Sequence, residues 1–240
     1  MEQNPIPPRL IKRRRLLQLS GASSIGLLLG GCASADFAEF IGNISEPLNQ
    51  KMEELLLRPQ TPVPEFPVSA IEPKALLVNT YDETPEINPK NYSLIIDGEV
   101  QQPLQLSLGD IKKLPPKSMV IRHVCVEGWS AIVQWGGVRL RDLVALAQPK
   151  STARYIYFES ADKYLESWDI ASALHPQTIL AYSKNGEPLS IANGAPLRLA
   201  SPIKLGYKQS KWVTKITLVN KLGSRRGFWE DQGYEWFGGL

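Results

Sequence analysis

The chain has 240 residues, 43% of them hydrophobic, which is enough for one domain with a proper core. Its formal net charge of +3 is concentrated at the start: Arg9, Lys12, Arg13, Arg14 and Arg15 stand against Glu2 in residues 1–31, a net of +4 that leaves about −1 for the rest. A nearly neutral body excludes the basic face that nucleic-acid binding requires, and two cysteines, Cys32 and Cys125, exclude a disulfide framework.

In chain order, residues 1–32 read as an export leader. A basic stretch ending in paired arginines precedes Leu16 and Leu17, an apolar run over Leu19–Leu29 follows, and Gly30-Gly31-Cys32 closes it. The arginines fit a twin-arginine signal, and Leu29-Gly30-Gly31-Cys32 resembles a lipobox with Cys32 as a lipid anchor, so the expected location is the periplasm or cell envelope. Residues 33–74 read as a tether. Asp36–Arg58 has apolar residues at helical spacing, interrupted near Pro47, and Pro59, Pro62, Pro64, Pro67 and Pro73 then predict an extended linker.

Residues 75–240 read as the folded body. Tyr92–Ile96 and Leu104–Leu106 predict strands, with a turn at Asp97-Gly98, and Ser107 predicts the N-cap of a short helix through Lys113. Met119–Val126 and Ala131–Trp135 predict strands, the second turned by Gly136-Gly137, and the spacing of Leu140, Leu143 and Val144 predicts a helix to Ala147. Tyr155–Phe158, Leu197–Leu199 and Val213–Val219 complete the β content. Short strands mixed with short helices, without regular βαβ alternation, give an α+β class.

The chemistry centres on Arg122-His123-Val124-Cys125-Val126-Glu127-Gly128-Trp129-Ser130. Cys125 is a lone thiol at a strand end, open to three readings: a nucleophile, a metal ligand, or a small buried hydrophobe. Arg122 and His123 precede it and would favour the thiolate, and alternation puts His123 on the thiol's strand face. His175, before Pro176, reads as a turn residue, and two histidines are too few for a zinc cage.

This nonamer, Asn193-Gly194-Ala195-Pro196-Leu197-Arg198 and Gly206-Tyr207-Lys208-Gln209-Ser210-Lys211 together resemble, in order and spacing, the motifs of the sulfite oxidase fold superfamily. The likeness runs with gaps from about Leu76 to about Leu218 and is strongest to the exported bacterial branch typified by methionine-sulfoxide reductase catalytic subunits. It implies a sulfite oxidase-type domain with mixed sheets and one molybdenum–molybdopterin cofactor per chain. By the same resemblance Cys125 ligates molybdenum and Arg122 adds positive potential for a polar S=O group. Asn79, Tyr81, Asp82, Ser160, Asn193, Arg198, Gln209, Ser210 and Lys211 would contact the pterin, with Arg198 and Lys211 as phosphate donors. The implied activity is oxygen-atom transfer at a small sulfoxide-like substrate or methionine sulfoxide. Electrons would come from a membrane haem protein or a cytochrome, and the chain is expected to be a monomer.

Two other classes stay open on the residues alone. One is a cysteine-nucleophile envelope enzyme of transpeptidase type, with His123 or His175 as base; the other is a non-catalytic lipoprotein binding module. The stretch Ser160 to Ser172 is a candidate substrate entrance. The aromatic end, Gly227 to Phe237, either closes over the site or caps the core.

Overall fold

The computed structural model describes residues 61–80 and 83–240, with Leu48, Lys51, Met52, Leu55 and Leu56 before them. The chain divides into two units, Met1–Lys51 and Met52–Leu240, and every strand among the described residues belongs to the second. The expected leader and most of the expected tether helix lie outside the described residues; Leu48, Lys51, Met52, Leu55 and Leu56 are helical and exposed. No helix among the described residues is long and apolar enough to cross a membrane.

Two sheets organise the second unit. The first has strands β1 (Ser93–Gly98), β2 (Leu104–Ser107), β5 (Tyr155–Ser160), β6 (Leu165–Asp169) and β10 (Val213–Val219) in the order β2-β1-β10-β5-β6. Its one parallel pair is β1 with β10, in register Ile95 with Lys215. The second runs β3 (Pro116–Val124), β4 (Ser130–Arg139), β7 (Ile179–Lys184) and β8 (Glu187–Pro188), with β9 (Arg198–Ala200) also paired to β7. Three short helices, α1 (Leu108–Lys112), α2 (Leu140–Leu146) and α3 (Ile170–Ala173), cover strand ends.

Local chemistry explains most of these elements. In β1, Leu94 and Ile96 are buried while Ile95 is exposed, the period of a strand with one face on the core. α1 starts where Ser107 Oγ accepts from Asp110 N–H and Asp110 returns a bond to the Ser107 N–H, a capping box that satisfies two otherwise unpaired donors. In α2, Leu140, Leu143 and Val144 all face the large core beneath the first sheet. A smaller core, with Trp135 fully buried, lies between β3, β4, β7 and β9.

Several expectations are corrected. Gly136-Gly137 does not turn the chain: β4 runs straight through with a register shift against β7. A Cβ at Gly137 would stand 2.0 Å from the Leu180 carbonyl, so the glycine is needed for close approach of two strands. Ser160 to Ser172 forms the buried strand β6 and most of α3, leaving only Asp162 and Tyr164 on the cavity described next. The Pro-rich stretch, described from residue 61, is interrupted by a single 3-10 turn at Val68–Ala70 and lies along the body. Phe66 N–H donates to Val120 O at 2.9 Å, and Val63 exchanges two bonds with the Gln177 side chain. His175 serves that strap, its Nε2 facing Thr61 O at 3.1 Å while Nδ1 accepts from the Gln177 N–H.

Candidate active site

Strand β3 delivers Cys125 one residue beyond its end. The Cys125 N–H donates to Trp129 O and the Gly128 N–H to Cys125 O, closing a loop that needs Gly128 at a φ of +89°. Against this loop lies the turn Gly206–Lys211: a Cβ at Gly206 would stand 3.1 Å from His123 Nε2 and 3.6 Å from the Cys125 Cα. Two motifs some eighty positions apart in the chain thus meet and together line one cavity of about 190 Å³.

Seven of the eleven residues singled out from the sequence line this cavity: Asn79, Cys125, Asn193, Arg198, Gln209, Ser210 and Lys211. Tyr81 and Asp82 lie outside the described residues. Arg122 is not brought there. One residue of strand alternation turns it to the opposite face from His123, where it is exposed with its guanidinium 5.4 Å from the Phe66 ring. Ser160 is buried beside the cavity rather than on its lining, and its hydroxyl finds no partner.

The expected activation of the thiol is also corrected. Burial pushes the Cys125 thiol up from its ordinary value, and the Glu127 carboxylate adds to that. His123 is held down at about 3, chiefly by burial and then by Arg198, so it is neutral imidazole rather than an imidazolium beside the sulfur. Instead, one carboxylate organises the loop. Glu127 Oε2 accepts from Trp129 Nε1 and Asn79 Nδ2 at 2.8 Å each, with Cys125 Sγ at 3.6 Å.

Across the cavity the charge is positive. Arg198 is buried, donates to the carbonyls of Leu199, Asn193 and Gln209, and stacks 4.5 Å from the Trp135 ring. Lys211 donates to the carbonyls of Asn79 and Ala192. No salt bridge joins either cation to a carboxylate among the described residues. Burial lowers Arg198 to about 10, and burial followed by Arg198 lowers Lys211 to about 8. Gly194, at a φ of +105°, permits this pairing: a Cβ there would stand 2.8 Å from Arg198 Cβ and 3.2 Å from Lys211 Cβ. A buried Arg198 and a half-buried Lys211, neither in a salt bridge and with only the field of Asp162 reaching Lys211, form a site for an anion, and a phosphate suits an Arg–Lys pair. Asn193 and Gln209 are partly occupied: the Asn193 amide bonds Ser190 and Lys184, and the Gln209 amide ties Ser201 to Lys204.

Sequence reasoning missed the aromatic lining. Trp129, Tyr164, Tyr207, Trp229 and Tyr234 come from four separate segments and meet only in the fold. The signals for them were the two motifs that hold Trp129 and Tyr207 and the aromatic density of the chain end, whose two readings both hold: Trp229 and Tyr234 line the cavity while Trp236 and Phe237 are buried.

The orphaned polar atoms test the fit of a molybdopterin. The Ser160 and Ser210 hydroxyls and His123 Nδ1 are buried without a partner in or beside the cavity, which a polar ring system with a phosphate tail would remedy. No three His, Cys, Asp or Glu side chains among the described residues are grouped to hold a metal, so a metal here would need sulfur from the cofactor beside the Cys125 thiol. The residues present therefore fit the group.

The description of an oxidoreductase molybdopterin binding domain matches residues 81–229. A putative protein-methionine-sulfoxide reductase subunit of Azospira oryzae is 36% identical over 239 residues, covering 98% of this chain and 88% of its own length. The protein-methionine-sulfoxide reductase catalytic subunit of Campylobacter jejuni is 36% identical over 151 residues, 56% of this chain and 51% of its own length, so the chain spans about half of that relative. Among solved structures, the sulfane dehydrogenase SoxCD of Paracoccus pantotrophus superposes with a TM-score of 0.59 at 24% identity, covering 67% of this chain and 49% of that one, a likeness of fold.

Proposed function

Because the chain belongs to the oxidoreductase molybdopterin binding domain family and is a molybdenum-dependent oxidoreductase, we propose that it reduces a methyl sulfoxide, with methionine sulfoxide as the favoured substrate, in the periplasm. The observation that carries this reading is the cavity itself, lined by a lone thiol and by two cations, Arg198 and Lys211, that make no salt bridge among the described residues.

In this reading the Arg198 guanidinium and Lys211 ammonium grip the pterin phosphate, the Ser160 and Ser210 hydroxyls reach its polar edges, and Cys125 Sγ ligates the metal. The bound cofactor supplies a two-electron redox metal able to accept an oxygen atom. The thiol must lose its proton to serve. Burial and the Glu127 carboxylate hold the proton on, the backbone N–H groups of Glu127 and Val126 work against them, and a bound metal would supply the charge that completes the balance. Trp129 and Trp229 give the mouth an apolar surface for the methyl and thioether parts of the substrate. The balance is a sulfinyl group plus two electrons and two protons giving a thioether and water, with the electrons drawn from a membrane haem partner. The name of the Azospira relative, a subunit, supports such a partner.

The cysteine-nucleophile alternative loses its support from the same geometry. His123 is buried and neutral, His175 bonds Thr61, and the thiol is raised rather than lowered. Metal analysis of chain produced in a cofactor-competent host decides: about one molybdenum per chain is expected, falling to near zero in Cys125→Ser. A metal-free chain whose activity is abolished by thiol alkylation would overturn the reading.

A further inference from the structure

Lys208 sits in the middle of the turn that lines the cavity, yet its side chain is fully buried and takes no part in the lining. Its ammonium donates to Glu166 Oε1 of β6, to Glu230 Oε1 of the C-terminal segment, and to Ser167 O at 3.2 Å. Both carboxylates keep their second oxygen buried and unpartnered. One cation between two acids leaves a surplus proton site. Burial, with Glu230 adding to it, holds the Glu166 carboxyl well above the usual range against the pull of Lys208. Lys204, Asp169 and Tyr164 are the other ionisable groups acting on this cluster.

The residues flanking Glu230 form the outer wall of the cavity. Trp229 and Tyr234 both line it with ring centroids 5.0 Å apart, and Tyr234 meets Tyr207 of the turn at 5.6 Å. The rest of the segment has its own anchors. Lys204 Nζ donates to Phe237 O, the Leu205 N–H to Gly238 O at 2.9 Å, and Phe228 N–H to Leu165 O at 2.9 Å. Glu230 is the one buried ionic anchor between Trp229 and Tyr234 among the described residues. Room for it is made by Gly227, where a Cβ would stand 2.0 Å from Glu230 Oε2 and 3.2 Å from Glu166 Oε1.

We infer that Lys208 is a positioning residue: clamped between Glu166 and Glu230, it holds the segment carrying Trp229 and Tyr234 against the back of the cofactor turn, and this aromatic wall sets affinity for the sulfoxide. The inference about affinity rests on the proposed oxygen-transfer reading; the clamp stands on geometry alone. The wall touches substrate rather than the reacting metal, so its loss weakens binding and leaves the chemical step intact.

Gly227→Ala is the sharpest probe, because it evicts Glu230 alone and leaves Lys208 and Glu166 together inside the body. In the full-length, cofactor-loaded chain, amide hydrogen exchange over 227–234 is expected to rise about tenfold, with β10 unchanged and molybdenum content as in wild type. KM for methionine sulfoxide should rise about tenfold with kcat within about twofold. Lys208→Met should loosen the same peptide more. Glu230→Gln keeps an acceptor for Lys208 and leaves Glu166 as its carboxylate partner, and should stay within about twofold of wild type in both readouts. Unchanged exchange over 227–234 in Gly227→Ala overturns the clamp, and a loosened segment with unchanged KM overturns the role in affinity. A wild-type chain without molybdenum would sink the oxygen-transfer reading alone, because exchange reads the clamp in the empty chain as well.

Discussion

Two pairs of cations meet at one turn of this protein, one sealed in the interior and one lining the cavity. Lys204 and Lys208, behind the turn, are met by Asp169, Glu166 and Glu230, whereas Arg198 and Lys211, on the cavity, donate to carbonyls and make no salt bridge among the described residues, with Asp162 acting on Lys211 through its field alone. All four lie within fourteen positions of the chain. Burial costs a charge unless a counter-charge is at hand, so what separates the two pairs is where that counter-charge comes from. Behind the turn the chain supplies it, and the result is structural. On the cavity the chain forms no ion pair, and the result is a site for an anionic ligand.

The contrast breaks most visibly at Lys208. Lys208→Met strands two buried carboxyls and should cost about 3–5 kcal/mol of stability in urea unfolding, as loss of one partner of a buried pair does. Arg198→Met removes an unneutralised charge along with its bonds. It should therefore disturb the cofactor-free chain far less, while lowering retention of molybdopterin by at least about tenfold, the worth of a charge-assisted bond. Equal destabilisation by the two variants would erase the distinction between the interior pair and the cavity pair.

A pH series sharpens the comparison further. Lys211 sits at about 8 in the folded chain against an ordinary 10.5, so the unfolded chain binds the extra proton between those values. Stability of the empty chain should rise as pH climbs through that window, with Lys204, also at about 8, contributing in the same direction. The grip of Lys211 on an anion has the opposite sense: it is full below about pH 8 and weakens above it. Cofactor retention measured from about pH 7 to 9.5 should therefore fall in wild type and stay flat in Lys211→Met. The smallest effect serves as the control. Ser107→Ala removes a helix cap remote from both clusters and should cost about 1 kcal/mol with no change in cofactor content.

Elements with local causes were legible in the sequence. The Ser107 capping box, the 3.6-residue spacing of α2 and the whole of β10 depend on neighbours a few positions away. β6 was not, because Glu166, Ser167 and Asp169 read as surface residues and are buried only by Lys208, Lys204 and the chain end. Arg122 failed for a related reason: adjacency to Cys125 in sequence is separation to opposite faces in a strand.

The sequence by itself determined the class of fold, the family and most of the donors that face the cofactor cavity, because motif order and residue chemistry are properties of the string. Tertiary structure alone decided that Lys208 is drawn into the interior between Glu166 and Glu230, and which aromatic residues meet on the cavity. Those outcomes hang on contacts between β6, the turn Gly206–Lys211 and the C-terminal segment. Three stretches distant in the chain must come together before any of their charges finds or lacks a partner.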